Sequence, residues 1–230
     1  MSGQIIHHLK NNPILLPHQI EILRRLFSFP EFDQFYLTGG TALSAFYLAH
    51  RESKDFDFFT HENFDFTAID KILAKVAETT NSTAKTKVRS ETYTEIYLEE
   101  KGGKWSQRTD FVRDIPVRFG KLNNIESIKV DSLENIAANK INAVFGRLEP
   151  KDYIDLYFII KNTKIKFPKM FKLAQKKDLG INEFHFSYII KAAQDIENFP
   201  TIKLPFDQKD FRKFYEALSR DLLLKIKPKN

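Results

Sequence analysis

The stretch Tyr36-Leu-Thr-Gly-Gly-Thr-Ala-Leu-Ser-Ala-Phe-Tyr-Leu-Ala-His-Arg-Glu-Ser-Lys-Asp-Phe-Asp-Phe-Phe59 decides how the chain reads. Phe35 to Leu37 is a short apolar run of the kind a strand needs, and Gly39-Gly40 ends it. Ala42 to Ala49 has no helix breaker and is apolar almost all round, which predicts a short helix buried behind a sheet. Asp55 to Thr60 reads as the returning strand. Side chains alternate on a strand, so Asp55 and Asp57 share one face while Phe56 and Phe58 take the other. Two carboxylates on one face repel each other, and the usual compensation is a divalent cation or a shared proton. Gly39, Gly40 and Thr41 open the helix with backbone N–H groups that no side chain blocks, where the dipole favours phosphate oxygens. Each feature alone has a plain meaning, a solvated strand end or an ordinary turn. Together in one β-α-β unit they point to a site for a nucleoside triphosphate and magnesium.

Working outward, Pro17 to Phe29 carries Ile20, Leu23 and Phe27 at helical spacing, with Pro17 suited to a first turn. Ile69 to Glu78 repeats Ile72, Leu73, Val76 and Ala77 as a second amphipathic helix. Glu91 to Leu98 and Lys104 to Val112 flank a turn-like Glu-Glu-Lys-Gly-Gly and read as a hairpin. From Ile128 the composition turns helical, and Asp131-Ser-Leu-Glu134 has the spacing of a capping box. Helices are expected over Ser132 to Phe145, Lys151 to Ile160, Pro168 to Lys176, Glu183 to Ile196 and Gln208 to Ile226, punctuated by Gly180 and Pro205. The fold class is therefore α+β: a small mixed sheet with helices over residues 1–125, then a helical half over residues 126–230.

The 230 residues are 42% apolar, with 22 Phe, which is ample for a core. A formal charge of +6 mildly favours an anionic partner. With no cysteine there is no disulfide framework and no thiolate site, which suits an intracellular protein. Met1 to Leu16 lacks an apolar core of signal-peptide length, and no run approaches a membrane span, so a cytoplasmic location without membrane partners is expected.

A third carboxylate would complete a two-metal arrangement, and Asp110 is the candidate. On its strand it shares a face with Ser106 and Arg108, opposite Trp105, Thr109 and Phe111; an exposed sheet face is the alternative. Lys140 falls in the middle of a stripe formed by Ile136, Ala137 and Val144 that should be buried. It either snorkels out along its methylenes or reaches a triphosphate. Asp155 shares a helix face with Asp152, Phe158 and Ile159 and should have a partner, since a buried unpaired carboxylate is expensive. Lys140 or Arg147 could be that partner, and a general-base role toward an acceptor hydroxyl is the sharper alternative. A phosphatase-type motif would need a Thr at Phe59, the His7-His8 pair lacks a helical metal spacing, and no P-loop is present.

Read together, Leu37-Thr-Gly-Gly-Thr-Ala-Leu43, His50-Arg-Glu-Ser-Lys-Asp-Phe-Asp57, then Lys140, Arg147 and Asp152-Tyr-Ile-Asp-Leu156 resemble the AbiEii family of nucleotidyltransferase-fold proteins, toxins of type IV toxin-antitoxin and abortive-infection systems. The resemblance runs from about Pro17 to Ile160. It implies a polymerase-β-like nucleotidyltransferase core, with Asp55 and Asp57, and Asp110 as the third, binding Mg²⁺ or Mn²⁺. It places Gly39, Gly40, Thr41, Arg51 and Ser53 at the nucleotide, Lys140 on phosphate, and Asp155 as base or orienting group. Thr41 stands where the wider superfamily has a serine. The implied reaction moves a nucleoside monophosphate from an NTP to a hydroxyl of RNA, such as a tRNA 3′ end, or of a protein. A cognate antitoxin is the implied partner. The alternative is an inactive nucleotide- or RNA-binding module that kept the fold. Lys161 to Lys177 holds seven Lys and no acid, interleaved with Phe167, Met170 and Phe171. It reads either as a solvated helix face or as a surface for an RNA backbone.

Overall fold

Helix α1 (Pro17–Leu26) starts on the proline and buries Ile22, Leu23 and Leu26, so its apolar face is rotated about the helix axis from the stripe expected through Ile20, Leu23 and Phe27 and shares Leu23 with it. It also ends earlier, and the chain passes through a 3₁₀ turn (Pro30–Phe32) into strand β1 (Tyr36–Thr38). The computed structural model describes residues 7–226. These divide into two compact units, one of residues 7–47 and 53–132, the other of residues 48–52 and 133–226. Sequence patterning suggested a division at 125/126; the observed one follows Ser132, and the short segment 48–52 belongs with the helices. Residues 1–6 and 227–230 of the two expected segments, and with them part of the Met1 to Leu16 stretch, lie outside the described residues.

The first unit is built on a mixed sheet. After β1 come a helical turn α2 (Gly39–Ala42), a π-helical turn (Leu43–Leu48), β2 (Phe56–Thr60) and helix α3 (Phe66–Thr79). Then follow β3 (Ser82–Ser90), β4 (Tyr93–Glu100), β5 (Ser106–Arg113), β6 (Asn123–Ile125) and β7 (Ile128–Val130). The sheet has 7 strands in the order β3-β4-β5-β2-β1-β7-β6. The central pair β2 and β5 is parallel, as are β1 and β7, while β1 with β2 and the outer hairpins are antiparallel. One face is aromatic: Phe56 and Phe58 of β2 and Phe111 of β5 are fully buried. Phe32 meets Phe58 edge-on at 5.0 Å and Phe35 meets Phe111 at 5.5 Å. Such a cluster supplies both buried area and preferred ring geometry. The other face carries polar groups, as the alternation in β2 requires.

The second unit is helical: α4 (Leu133–Arg147), α5 (Pro150–Asn162), α6 (Phe167–Lys177), α7 (Glu183–Ile189) with a 3₁₀ extension (Ile190–Asp195), and α8 (Gln208–Leu223). Its core joins Tyr153 to Tyr215, ring centroids 5.4 Å apart, with the Tyr215 hydroxyl donating to Tyr153 O at 2.6 Å. Residues 48–52 run along this unit, bonded through Glu52 N to Thr201 O (2.9 Å) and Lys203 N to His50 O (2.8 Å).

Candidate functional site

Gly39 leaves β1 with φ of +71°, a left-handed conformation that a side chain resists. A Cβ there would stand 1.9 Å from Asp57 Oδ2. Glycine is thus required twice, for the turn and for letting the backbone lie against the Asp57 carboxylate. The chain then winds into α2 and the wider π turn, where Leu43, Ala45 and Phe46 are buried; sequence patterning predicted one α-helix over Ala42 to Ala49. Thr41 is fully buried, and its hydroxyl donates to Asp55 O at 2.5 Å while lying 2.9 Å from Ser53 Oγ. One residue earlier, Lys54 O accepts from Gln107 Nε2 (2.6 Å) and from Gln19 Nε2 (3.1 Å). The backbone that presents Asp55 is therefore fastened at two successive carbonyls. Thr41 acts in this fastening through its hydroxyl, with the half-buried Ser53 hydroxyl beside it.

Strand register lines up the polar face. Asp57 is directly opposite Asp110 on β5, and Asp110 is directly opposite Glu95 on β4. On the other side Asp57 faces Thr38 of β1, whose hydroxyl donates to Asp131 Oδ2 at 2.7 Å. Like charges opposed across strands destabilise a sheet, so the row needs cations. Arg108 supplies one, with Nε 3.0 Å from Asp110 Oδ1 and Nη2 2.8 Å from Asp110 Oδ2. The same Nη2 lies 2.9 Å from Glu95 Oε2. Burial nevertheless pushes the Asp110 carboxyl above its ordinary value, with Glu95 adding to the rise and Arg108 opposing it. Register thus sets Asp110 directly opposite Asp57, with both Asp110 oxygens engaged by guanidinium.

Among the described residues no three His, Cys, Asp or Glu side chains form a ready-made cage for a metal. Magnesium needs no such cage: it binds through one or two carboxylates, keeps several waters and takes other ligands from substrate phosphates. Asp57 on β2 and Asp55, which precedes that strand by one residue although sequence alternation placed it on it, are half-buried hard-oxygen donors beside a glycine turn and fit that pattern. Glu95, Arg108 and the Gln19–Gln107 pair were not singled out from the sequence. The alternation along the expected hairpin held the signal for Glu95, but its register to Asp110 did not follow from one strand alone.

In the helical unit Lys140 and Asp155 come together. Asp155 Oδ1 accepts from Arg51 Nε (2.6 Å) and from His50 Nε2 (2.7 Å). Its Oδ2 accepts from Arg51 Nη2 (2.8 Å) and lies 2.5 Å from Lys140 Nζ. Lys140 also bonds Asp152 Oδ1 at 2.8 Å, and Arg147 grips Asp152 through Nε at 2.7 Å and Nη2 at 3.1 Å. Of the two partners considered for Asp155, Lys140 is present, whereas Arg147 pairs with Asp152. Burial alone would raise the Asp155 carboxyl, but Arg51 and Lys140 outweigh it and hold the group well below the usual carboxylate range. Against an ionised Asp155, His50 Nε2 must be the donor, and burial keeps that imidazole's pKa lowered. Lys140 is 4% exposed, so it neither snorkels nor projects freely. The interleaved Phe167, Met170 and Phe171 of α6 turn inward, where Phe171 meets Phe186 at 5.3 Å. Lys161, Lys164, Lys166, Lys169, Lys172 and Lys176 are left on the surface.

No described helix is long and apolar enough to cross a membrane. A family model described as the nucleotidyl transferase AbiEii toxin of the type IV TA system matches residues 21–228. The uncharacterized protein aq_aa25 of Aquifex aeolicus (strain VF5) is 33% identical over 181 residues, which cover 77% of this chain and 81% of that protein. In fold the chain is similar to a solved structure described as a candidate nucleotidyltransferase from H. pylori, with a TM-score of 0.61 at 18% identity over 90% of this chain and 92% of the other. Similarity to JHP933 from Helicobacter pylori gives a TM-score of 0.57 at 18% identity over 90% of each chain. The glycine turn, the Asp55–Asp57 segment and the Lys140 to Asp155 segment all fall within the matched span, and the chain belongs to the AbiEii family of nucleotidyltransferases, the toxins of type IV toxin-antitoxin systems.

Proposed function

We propose that the chain transfers a nucleoside monophosphate from an NTP to an acceptor hydroxyl, with Mg²⁺ or Mn²⁺ held by Asp55 and Asp57. The observation that carries this is the glycine turn seated against the Asp57 carboxylate, since a phosphate cradle and a metal-ligating pair are useful only side by side. A divalent ion bound there would neutralise phosphate charge and favour the ionised acceptor hydroxyl. Gly39 and Gly40 would present backbone N–H groups to the triphosphate. Thr41 and Ser53 would keep the Asp55 backbone rigid, a positional gain that orientation-limited chemistry rewards. Asp110 would join the metal ligands on release from Arg108. Lys140 would meet phosphate only by giving up one of its carboxylates. Arg51 and Asp155 would act as positioning groups; an Asp held so far below its usual range is a poor proton acceptor near neutral pH.

The acceptor we favour is RNA, and the support is the lysine surface on and around α6. As a toxin it would act in the cytoplasm and be held in check by a cognate antitoxin. Incubation with Mg²⁺ or Mn²⁺, each labelled NTP and total RNA should label one RNA class, and Asp55→Asn and Asp57→Asn should abolish the label. Absence of labelling with every nucleotide, in conditions where an active relative labels, would refute the reading. Binding to the labelled RNA should weaken steeply with salt. A flat dependence would remove the lysine surface from the account.

A further inference from the structure

The acidic row of the sheet already has a cation of its own. Arg108 stands two residues before Asp110 on the same face of β5 and takes both Asp110 oxygens in a fork, while its Nη2 also reaches Glu95 Oε2 and the Tyr93 hydroxyl at 3.2 Å. Tyr93 in turn donates to Glu95 Oε2 at 3.1 Å, so the guanidinium is aimed by a second group as well as by its own strand. Asp57 lies in the same row, opposite Asp110. A divalent cation that takes Asp110 together with Asp57 therefore competes with a bidentate guanidinium for the same oxygens. We propose that Arg108 is the resident counter-ion of this face: it holds Asp110 and Glu95 together without metal, lowers the affinity for a free divalent cation, and is displaced when one binds. Once displaced, its planar fork is matched to triphosphate oxygens, the other bidentate anion a guanidinium fits. Metal binding thereby becomes favourable chiefly in company with the nucleotide, which offers the released guanidinium a new partner. The inference rests on the metal-binding reading given above.

The test is Mn²⁺ binding to the full chain without nucleotide, followed through the paramagnetic resonance of free Mn²⁺ at about pH 8, where carboxylates are ionised. Wild type, Arg108→Met, Arg108→Lys and Asp57→Asn are compared, with circular dichroism to check that each folds. The Arg108 side chain is 34% exposed, which favours tolerance of its replacement. Arg108→Met should bind Mn²⁺ about fivefold more tightly than wild type, the size expected for removing a partly exposed ion-pair competitor. Arg108→Lys, which keeps the charge and loses the fork, should fall between them and serves if the Met variant does not fold. Affinity equal to or weaker than wild type in the folded variants overturns the proposal. If Asp57→Asn loses Mn²⁺ while Arg108→Met is unchanged, the counter-ion role alone fails. If Asp57→Asn binds as wild type does, the metal reading itself fails and this inference with it.

Discussion

Asp155→Asn separates a structural role from a chemical one. The substitution keeps the shape of the side chain but removes its charge and turns one acceptor into a donor. Either orientation of the new amide fails: at Oδ1 its NH₂ would meet His50 Nε2 and Arg51 Nε, and at Oδ2 it would meet Arg51 Nη2 and Lys140 Nζ. Lys140 keeps Asp152, but Arg51, only 3% exposed, loses the carboxylate that takes two of its donors. Removing one partner of a buried ion pair typically destabilises by about 3–5 kcal/mol. For a chain of this size each kcal/mol moves the melting midpoint by roughly 2–4 °C, so a drop of about 6–20 °C is expected. Thermal and urea melts followed by circular dichroism measure it, with Arg51→Gln and the double variant closing a cycle. A coupling of about 1–3 kcal/mol between the two sites is the expected signature of a shared network. A variant that melts within about 1 kcal/mol of wild type yet loses nucleotide transfer would refute the argument and return Asp155 to the role of base.

Three further outcomes follow from the same geometry. Gly39→Ala puts a methyl onto Asp57 Oδ2 and a side chain at φ +71°, so it should cost at least about 1–2 kcal/mol in stability and abolish transfer, both read on the purified variant. Thr41→Val removes the hydroxyl that holds Asp55 O and should destabilise by about 1–3 kcal/mol, with a loss of activity exceeding that of the fully folded fraction. His50 gives a pH dependence whose sign is set by its lowered pKa. Unfolded His50 takes a proton near pH 6.5 while the folded ring resists it, so stability should fall as pH drops below about 6.5. His18, also lowered by burial, contributes a similar slope, so the diagnostic is a shallower fall in His50→Gln than in wild type between about pH 7.5 and pH 5.5 in urea melts.

Much of the fold was legible because burial writes a period into sequence. Strand β2, helix α3 and the β4–β5 hairpin all bury one face and were visible as alternation or as helical spacing. Strand β3 was not, because it is an edge: from Thr83 to Ser90 its side chains are exposed, so no apolar period exists to be read. Its conformation comes from pairing with β4, including an irregularity between Thr86 and Val88. The β6–β7 hairpin was hidden for a different reason. Its turn residues Glu126 and Ser127 have φ of +48° and +76°, the geometry usually signalled by Asn-Gly, here adopted by residues that carry no such signal. The site divides along the same line. Asp55, Asp57 and the glycine pair are local features and can be read from one segment. The Arg108 fork, the clamps on Lys54 O and the Arg51–Asp155 pair join residues distant in sequence, and only register and packing bring them together.

That division bears on how the second motif should be understood. Lys140 and Asp155 attracted notice because charge in an apolar stripe is an anomaly, and an anomaly has two sources: chemistry that needs the charge, or a partner that cancels it. Here the partners are present on every side, with Asp152, Arg51 and His50 completing a buried network and the exposed Arg147 reaching Asp152 from the surface. A network of this kind gains little over well-packed apolar residues in stability, yet losing any one member is severe. Loss of activity in a Lys140 or Asp155 variant therefore carries no information about chemistry until its stability is known. The first motif is different. Asp55 and Asp57 are half-buried, and Asp55→Asn removes one of two like charges held close together. Asp55→Asn should keep the wild-type melting midpoint or exceed it while losing metal-dependent transfer, and a variant that unfolds instead would place Asp55 among the structural carboxylates.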